Sequence, residues 1–220
     1  MISGKDMRYK LAIFDLDGTI LDTVGQLAVS FNEAMKLSGR EPLDKETVKQ
    51  RIGRGAINLV RACVGDIGDE QIDKIVKAYR DYYREHCTEN TLPYEGIAQV
   101  FSKLKDAGIK VAVVTNKSDA PAGMLCDANF PGLIDKVKGH REGLKHKPDP
   151  ILVNELLMEF GVDPSETVII GDSDVDILTA RNAGADSISV TWGYKSREFL
   201  LESGALRLAD TPSELLEMIL

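Results

Sequence analysis

Short apolar runs alternate with amphipathic stretches along most of this sequence, and this alternation constrains the fold more than any other feature. Runs that are apolar throughout suit a parallel sheet that is covered on both faces. Between the runs, apolar residues recur at helical spacing, as at Ile97, Val100, Phe101 and Leu104. Strands that alternate with helices predict an α/β fold with a doubly wound, Rossmann-like parallel sheet. The predicted strands are residues 11–14, 111–114, 168–170, 188–190 and 206–208.

The region from about residue 21 to residue 90 interrupts the alternation, because it has no apolar run of strand length. Its apolar residues instead recur at helical spacing. The expected helices cover 27–37, 57–64 and 72–83. We therefore predict an α-helical domain over 21–90, inserted after the first strand into a sheet domain formed by 1–20 and 91–220.

Charge and composition exclude several classes of protein. The 27 lysines and arginines against 35 aspartates and glutamates give a net charge of −8, whereas a nucleic-acid surface needs clustered positive charge. The cysteines, Cys63, Cys87 and Cys126, lack the spacing of a zinc site and fit a reducing compartment. No apolar run has the length of a membrane span or of a signal-peptide core. We therefore expect a cytoplasmic monomer or homodimer that binds neither nucleic acid nor membrane.

The first predicted strand ends in two carboxylates, Asp15 and Asp17, which are separated by one residue and followed by Gly18. The carboxyl ends of parallel strands form the ligand-binding edge of such sheets. Two neighbouring carboxylates repel each other unless a cation or a proton lies between them, and these oxygen ligands suit Mg²⁺. The alternative is an acidic turn before the next helix, because Asp-x-Asp-Gly also occurs in turns and calcium loops.

Acidic residues also follow the strand predicted at 168–170. Asp172 has the same position after this strand that Asp15 has after the first, and we expect both to bind one metal. Asp174 is expected to be the N-cap of the next helix. Asp176 has two alternatives of equal weight, a hydrogen bond that supports the site and a favourable interaction with the helix dipole.

Two further segments carry polar or cationic groups, the first at a strand end and the second immediately before a predicted helix. Thr115 and Asn116 follow the strand at 111–114 and form either an anion-binding corner or an ordinary helix cap. Lys147 precedes Pro148 and is expected to be extended. Its ammonium can balance the carboxylates and hold a phosphate; the alternative is a solvated basic loop.

Together these segments resemble the haloacid dehalogenase superfamily of phosphotransferases. The four motifs of that superfamily occur here in order, as Asp15-Leu16-Asp17-Gly18-Thr19, Thr115, Lys147 and Gly171-Asp172-Ser173-Asp174-Val175-Asp176. The resemblance covers nearly the whole chain, and the helical insert is similar to the α-helical cap of the superfamily. Within the superfamily, the segments around Thr115, Lys147 and Asp172 look like those of phosphoglycolate phosphatases.

The resemblance implies a Mg²⁺-dependent phosphatase that acts on a small phosphorylated metabolite. Asp15 would attack phosphorus and form an aspartyl-phosphate. Asp17 would protonate the leaving alkoxide and then deprotonate the hydrolytic water. The Asp15 carboxylate, the Asp17 main-chain carbonyl and Asp172 would hold the metal.

The resemblance also implies how substrate would bind. Thr115 and the Asn116 amide would bind phosphoryl oxygens, and Lys147 would neutralise charge. The cap would close over the site and exclude water. In the cap, we expect the guanidinium of Arg54 to bind a substrate carboxylate; the equal alternative is a surface arginine.

The favoured reaction is hydrolysis of 2-phosphoglycolate to glycolate and phosphate. A pyrophosphatase or nucleotidase, and a sugar-phosphate mutase of the same fold, are the enzymatic alternatives. A phospho-aspartate receiver, which is a signalling module, is the alternative from another class. The receiver is disfavoured for two reasons. Such domains have no helical insert, and the pairing of Asp15 with Asp17 also argues against a receiver.

Overall fold

The structure is a computed structural model that describes residues 8–220; the first seven residues of the predicted sheet domain lie outside this range. Its main sheet has six strands, and every neighbouring pair is parallel. The strands are β1 (Leu11–Phe14), β4 (Lys110–Ser118), β5 (Lys136–His140), β6 (Thr167–Gly171), β7 (Asp186–Val190) and β8 (Leu208–Ala209). Their order across the sheet is β5-β4-β1-β6-β7-β8.

Helices cover both faces of this sheet, which confirms the predicted doubly wound fold. Side chains alternate between the faces along each strand; Phe14 therefore packs in one apolar cluster and Ile13 in the other. The first face is covered by α5 (Ile97–Asp106), α6 (Asp119–Asn129) and α10 (Pro212–Ile219), and the second by α7 (Ile151–Phe160) and α8 (Asp174–Ala183). A short α9 (Arg197–Glu202) precedes β8. Within the described range, no helix combines the length and the apolar content that crossing a membrane requires.

The helical insert leaves and rejoins the sheet domain through a two-stranded antiparallel ribbon, β2 (Leu21–Asp22) and β3 (Leu92–Pro93). Its helices are α1 (Val24–Leu37), α2 (Lys45–Lys49), α3 (Ala56–Val64) and α4 (Asp69–His86). The rings of Phe31 on α1 and Tyr79 on α4 meet edge to face, with centroids 6.4 Å apart. The apolar core of this cap is continuous with the cluster on the first face of the sheet. The cap is therefore held on the sheet domain by apolar packing.

Several elements were not predicted from the sequence: the strands β2, β3 and β5 and the helices α2, α9 and α10. The strand β5, with the sequence Lys-Val-Lys-Gly-His, is polar because it lies at the edge of the sheet and pairs only with β4. The helix α2 has five residues, too few for apolar periodicity to show. Its start is instead fixed by Asp44, whose side chain accepts a hydrogen bond from the Thr47 amide at 2.8 Å.

The central strand β1 lies at the point where the chain order in the sheet reverses. From β1 the sheet continues through β4 to β5 on one side, and through β6 and β7 to β8 on the other. The carboxyl ends of β1, β4 and β6 therefore meet at one edge, which is where open α/β sheets bind ligands. The cap is inserted directly after β1 and lies over that edge.

Candidate active site

Three carboxylates and one ammonium group meet at this edge of the sheet. Asp15 follows β1, Asp172 follows β6 and Asp176 lies in the first turn of α8, and one oxygen of each lies within 4.8 Å of the others. Nζ of Lys147 lies 2.9 Å from Oδ1 of Asp15 and 2.7 Å from Oδ1 of Asp176. It also donates to the Val114 carbonyl at 3.0 Å. The fold thus brings together residues that lie more than a hundred positions apart in the chain.

Burial determines how this cluster holds its protons. Burial raises the pKa of Asp15 to about 6, although the ammonium of Lys147 opposes the shift. Burial, followed by the charge of Asp176, raises the pKa of Asp172 well above its usual range. Burial alone would lower the pKa of Lys147, but Asp15 and Asp176 outweigh it and the pKa is raised. One ammonium against three carboxylates leaves negative charge that a divalent cation would neutralise.

The donor set of this cluster fits Mg²⁺, which prefers carboxylate, carbonyl and water oxygens. Oδ1 of Asp15 is shielded from solvent and pairs with the ammonium of Lys147 at 2.9 Å, but among residues 8–220 it accepts no hydrogen bond of regular geometry. Oδ2 of Asp172 accepts one bond, from the Tyr194 amide at 2.6 Å. Asp176 is less suited to a metal because Lys147 and Ser173 already engage its two oxygens. The carboxylate of Asp17 is not part of the cluster; the family resemblance implies its main-chain carbonyl, and not its carboxylate, as a ligand.

Two glycines permit the close approach of the acids to the main chain. A Cβ atom on Gly193 would lie 2.3 Å from Cβ of Asp172. A Cβ atom on Gly171 would lie 2.1 Å from Cγ of Asp176. Because both contacts are shorter than van der Waals packing allows, a side chain at either position would displace an acid of the site.

The start of α8 corrects one expectation from the sequence. The N-cap is Ser173 and not Asp174, because the chain is still extended at Ser173 and becomes helical one residue later. The amide and hydroxyl of Ser173 donate to Oδ2 of Asp176 at 3.2 and 2.7 Å. Asp176 therefore closes the first helical turn and also holds Lys147. Of its two predicted roles, this arrangement favours the hydrogen bond that supports the site.

The side chain of Asp17 contacts a different set of residues. Its Oδ1 accepts a hydrogen bond from Thr23 at 2.5 Å and lies 3.0 Å from Nζ of Lys117. The side chain of Lys117 is shielded from solvent, and its Nζ donates to the hydroxyl of Tyr83, on cap helix α4, at 2.8 Å. The sequence analysis gave no role to Lys117 or Tyr83. The position of Lys117, directly after Thr115 and Asn116 at the predicted strand end, could have indicated its role. Tyr83 could not be distinguished from the other residues on the apolar face of its helix.

Thr115 and Asn116 lie beside the acids, but the hydrogen bonds of the Asn116 side chain are made to other protein groups. Its Nδ2 donates to the carbonyls of Gly53 and Lys147 at 3.0 and 3.2 Å, and its Oδ1 accepts from the Lys147 amide at 2.7 Å. The Asn116 side chain therefore ties the Lys147 loop to the cap, and the predicted contact of the Asn116 amide with a phosphoryl oxygen stays a prediction for its main-chain N–H. The Thr115 hydroxyl accepts from the Lys117 amide at 3.2 Å, which leaves its proton for an anion.

A cavity of about 270 Å³ lies between the cap and this edge of the sheet. The sheet domain contributes polar and ionic groups to its wall, and the cap contributes mainly apolar and aromatic side chains. The rings of His140 and His146 stack with centroids 3.7 Å apart and also line it. Lining residues include Asp15, Asp17, Thr115, Lys117, Leu27, Ile52, Leu59, Tyr79, Arg80, Tyr83 and Arg84.

Arg54 is not among the residues that line this cavity, which favours the surface arginine among its two predicted alternatives. Its guanidinium pairs with Asp174 at 2.7 Å, and 64% of its side chain is exposed. The cap arginines that line the cavity are Arg80 and Arg84 on α4, although both residues are also exposed to solvent. The sequence could not distinguish these arginines, because only the folded cap determines which of them turns toward the sheet.

Comparison with known proteins identifies the family. The model of the haloacid dehalogenase-like hydrolase family matches residues 12–190. The chain is 32% identical over 218 residues to a phosphoglycolate phosphatase of Vibrio parahaemolyticus, covering 96% of each protein. It is 30% identical to an N-acetylmuramic acid 6-phosphate phosphatase of Pseudomonas aeruginosa, covering 98% of this chain and 96% of that protein.

Solved structures agree with this assignment. The crystal structure of an inferred phosphoglycolate phosphatase of Lactobacillus delbrueckii subsp. bulgaricus gives a TM-score of 0.91 at 33% identity, covering 97% of this chain and 99% of that chain. The structure of CbbY of Rhodobacter sphaeroides, solved with xylulose-(1,5)bisphosphate, gives a TM-score of 0.78 at 27% identity. The match covers 94% of this chain and 96% of that chain. The chain belongs to the haloacid dehalogenase-like hydrolase family, and within that family it is a phosphatase.

Proposed function

We propose that this protein hydrolyses a small phosphate monoester through an aspartyl-phosphate in a Mg²⁺-dependent reaction, with 2-phosphoglycolate as the first candidate substrate. The observation that carries the proposal is the environment of Asp15, which lines the cavity 2.9 Å from the buried ammonium of Lys147. The ammonium favours the ionised, nucleophilic carboxylate and would also neutralise a phosphoryl group bound beside it.

The reaction divides into two displacements at phosphorus. In the first, an oxygen of Asp15 attacks phosphorus, the bond to the leaving oxygen breaks, and Asp17 gives its proton to that oxygen. In the second, Asp17 takes a proton from water as the water oxygen attacks phosphorus. The bond to Asp15 then breaks, which releases phosphate and restores the carboxylate. The two aspartates can act differently because Asp15 contacts Lys147, whereas Asp17 contacts Thr23 and Lys117.

The remaining groups bind and balance the charge of the phosphoryl group. Thr115 offers its hydroxyl proton, and Lys147 is held in place by Asp176 and the Val114 carbonyl. Mg²⁺, held by the carboxylates of Asp15 and Asp172 and the main-chain carbonyl of Asp17, would supply further Lewis-acid stabilisation of phosphoryl charge.

Two observations favour 2-phosphoglycolate. Relatives that carry the name phosphoglycolate phosphatase are 31–32% identical and span almost the whole chain. The cavity also has two arginines on its cap side, Arg80 and Arg84, and a guanidinium is well suited to a substrate carboxylate.

A bulkier anionic sugar phosphate is the second candidate. The cavity of about 270 Å³ has an apolar and aromatic cap wall, whereas glycolate has only two carbon atoms to place there. A leaving group with an apolar face would use this wall, and discrimination between such substrates depends on the contacts of the leaving group. The similarity to an N-acetylmuramic acid 6-phosphate phosphatase agrees with this alternative.

The test is phosphate release with Mg²⁺ from a panel of 2-phosphoglycolate, N-acetylmuramic acid 6-phosphate, other sugar phosphates, nucleotides and pyrophosphate, ranked by kcat/KM. We expect many turnovers on a monoester. A single phosphorylation without turnover would instead identify a receiver. An isomerised sugar phosphate would identify a mutase, and a preference for pyrophosphate or for nucleotides would identify a pyrophosphatase or a nucleotidase.

The matching variant is Asp15→Asn, which should lower kcat by at least about a thousandfold because the amide cannot attack phosphorus. Its circular dichroism spectrum and thermal melt should show a folded protein. Wild-type turnover in this variant would contradict the assignment of Asp15 as the nucleophile.

We place this activity in the cytoplasm, on a small phosphorylated metabolite, in a monomer or homodimer that binds neither nucleic acid nor membrane. The net charge of −8 supports the absence of nucleic-acid binding, and the three reduced cysteines support a reducing compartment.

A further inference from the structure

Lys117 is a second buried lysine of the site, and the reaction steps above give it no role. Its side chain is 5% exposed, and Nζ lies 3.0 Å from Oδ1 of Asp17. The residue belongs to the part of β4 where the pairing with β5 shifts register, between Val114 and Ser118. Such irregularities re-aim side chains near functional sites, and here the lysine turns toward the proton carrier of the proposed reaction.

The second partner of Lys117 belongs to the cap. Nζ donates to the hydroxyl of Tyr83 on α4 at 2.8 Å and lies 4.3 Å from the centre of the Tyr83 ring. Burial raises the pKa of Tyr83 well above its usual range, so that the phenol stays neutral and its oxygen can accept this bond. A buried ammonium needs such partners. One of them comes from the sheet domain and the other is present only when α4 is docked on it.

The contacts of Asp17 leave one of its oxygens available. Thr23 and Lys117 both meet Oδ1, at 2.5 and 3.0 Å. Among residues 8–220, no hydrogen bond or ion pair engages Oδ2. With Oδ1 held on two sides, rotation of the carboxyl group is restricted, and Oδ2 is the atom that can exchange a proton within the cavity that Asp17 lines.

We propose that Lys117 is a positioning residue for proton transfer: it fixes the carboxyl group of Asp17 toward the leaving oxygen, and Tyr83 makes this dependent on the docked cap. Lys117 acts through Asp17 and not on the reacting atoms. The inference rests on the proposed function, because an acid is needed only where the leaving group is an alkoxide that must be protonated as it departs.

The experiment compares two esters that differ in their need for an acid. 2-Phosphoglycolate, or glucose 6-phosphate if the wild type prefers it, releases an alkoxide, whereas p-nitrophenolate departs from p-nitrophenyl phosphate without a proton. In Lys117→Met, kcat/KM should fall by about tenfold to a hundredfold for the aliphatic ester, and by less than about threefold for p-nitrophenyl phosphate. The ratio kcat/KM reports the first displacement, in which Asp17 acts as the acid.

Two further variants keep the test decisive if Lys117→Met folds poorly. Tyr83→Phe removes only the hydroxyl that contacts Lys117, and it should lower kcat/KM for the aliphatic ester selectively, by about fivefold. The matched control is Tyr82→Phe on the same helix, because the Tyr82 ring stacks on His86, 4.3 Å away, and does not line the cavity. This control should leave both esters unchanged.

A double variant tests whether Lys117 acts through Asp17. In an Asp17→Asn background, Lys117→Met should cause no further loss of ester selectivity. Equal losses on both esters in Lys117→Met and Tyr83→Phe, or a further selective loss in the double variant, would overturn the inference while the proposed function stands. If wild-type protein with Mg²⁺ hydrolyses neither ester, the proposed function fails and the inference fails with it.

Discussion

At the scale of single residues, the site is built on two buried lysines, each of which is paired with a different aspartate. Lys147 lies 2.9 Å from Asp15, and Lys117 lies 3.0 Å from Asp17. A buried ammonium is stable only where its charge is matched and its hydrogen bonds are made. Each lysine therefore restricts the orientation of its carboxylate, which fits a site that needs one nucleophile and one proton carrier.

Substrate carboxylate recognition is tested at the same scale by Arg80→Ala. Arg80 lines the cavity, and removing it should raise KM for 2-phosphoglycolate by about tenfold, because a charged hydrogen bond to the substrate is lost. KM for p-nitrophenyl phosphate, which has no carboxylate, should change little. Steady-state kinetics on the two esters measure the difference.

The control for this prediction is Arg54→Ala. Arg54 is exposed and pairs with Asp174 outside the cavity, so its loss should affect the two esters equally. If Arg54→Ala, and not Arg80→Ala, raised KM selectively for 2-phosphoglycolate, the sequence-based assignment of Arg54 would be restored and the assignment from the cavity would be wrong.

At the scale of elements, the first turn of α8 both stabilises this helix and holds Lys147 in the site. Ser173 donates from its amide and hydroxyl to Asp176, which in turn holds Lys147. Ser173→Ala should lower the free energy of unfolding by about 1 kcal/mol. It should also lower kcat by about tenfold, because Lys147 loses part of its support. Thermal melts and kinetics of one preparation give both values.

The N-cap residue of α10, which lies outside the site, provides the control. The hydroxyl of Thr211, the N-cap of α10, accepts from the Glu214 amide at 3.2 Å. Thr211→Ala should cost a similar free energy of unfolding and leave kcat unchanged. An equal fall in kcat in both variants would show that the activity follows overall stability and not the position of Lys147.

The contacts between elements also show which parts of the fold sequence patterns can predict and which they cannot. The helices α5, α7 and α8 were predicted because their apolar faces pack on the sheet and impose a period on the sequence, whereas the shorter α9 and α10 were not predicted. The strand β5 is polar and was missed, since an edge strand needs no apolar run. The hydrogen bond from Asn116 to the Gly53 carbonyl, which links sheet domain and cap, has no sequence signature at all.

At the scale of the whole molecule, the acid cluster makes stability depend on pH and on metal. Asp15 has a pKa of about 6 in the folded chain, against 3.8 for an ordinary aspartate. Between these values the folded state binds more protons than the unfolded state, and stability falls as pH rises through this window. Mg²⁺ would neutralise the negative charge that these carboxylates gain when they lose their protons. We therefore expect Mg²⁺ to raise Tm by about 5 °C at roughly pH 7.5, and by less at roughly pH 5.

Melting curves with Mg²⁺ or a chelator check this expectation, and two aspartate variants locate the effect. Asp172→Asn should remove most of the rise in Tm, because Asp172 belongs to the proposed metal site. Asp174→Asn should retain it, because Asp174 pairs with Arg54 outside the acid cluster. Equal Mg²⁺ effects in both variants, or no effect in the wild type, would contradict a metal bound by Asp15 and Asp172.

The sequence by itself determined the parallel α/β sheet, the place of the helical insert and several charged residues of the site, among them Asp15 and Asp172 at strand ends and Lys147 in the loop before α7. These follow from local rules, because buried strands are apolar throughout, and parallel strands end at one edge. Only the tertiary structure decided that Lys117 and Tyr83 meet at Asp17, that Asn116 binds the cap, and that Arg54 faces solvent while Arg80 lines the cavity. Those contacts join segments distant in the chain, and their geometry depends on how the cap packs on the sheet, which no local pattern of residues encodes.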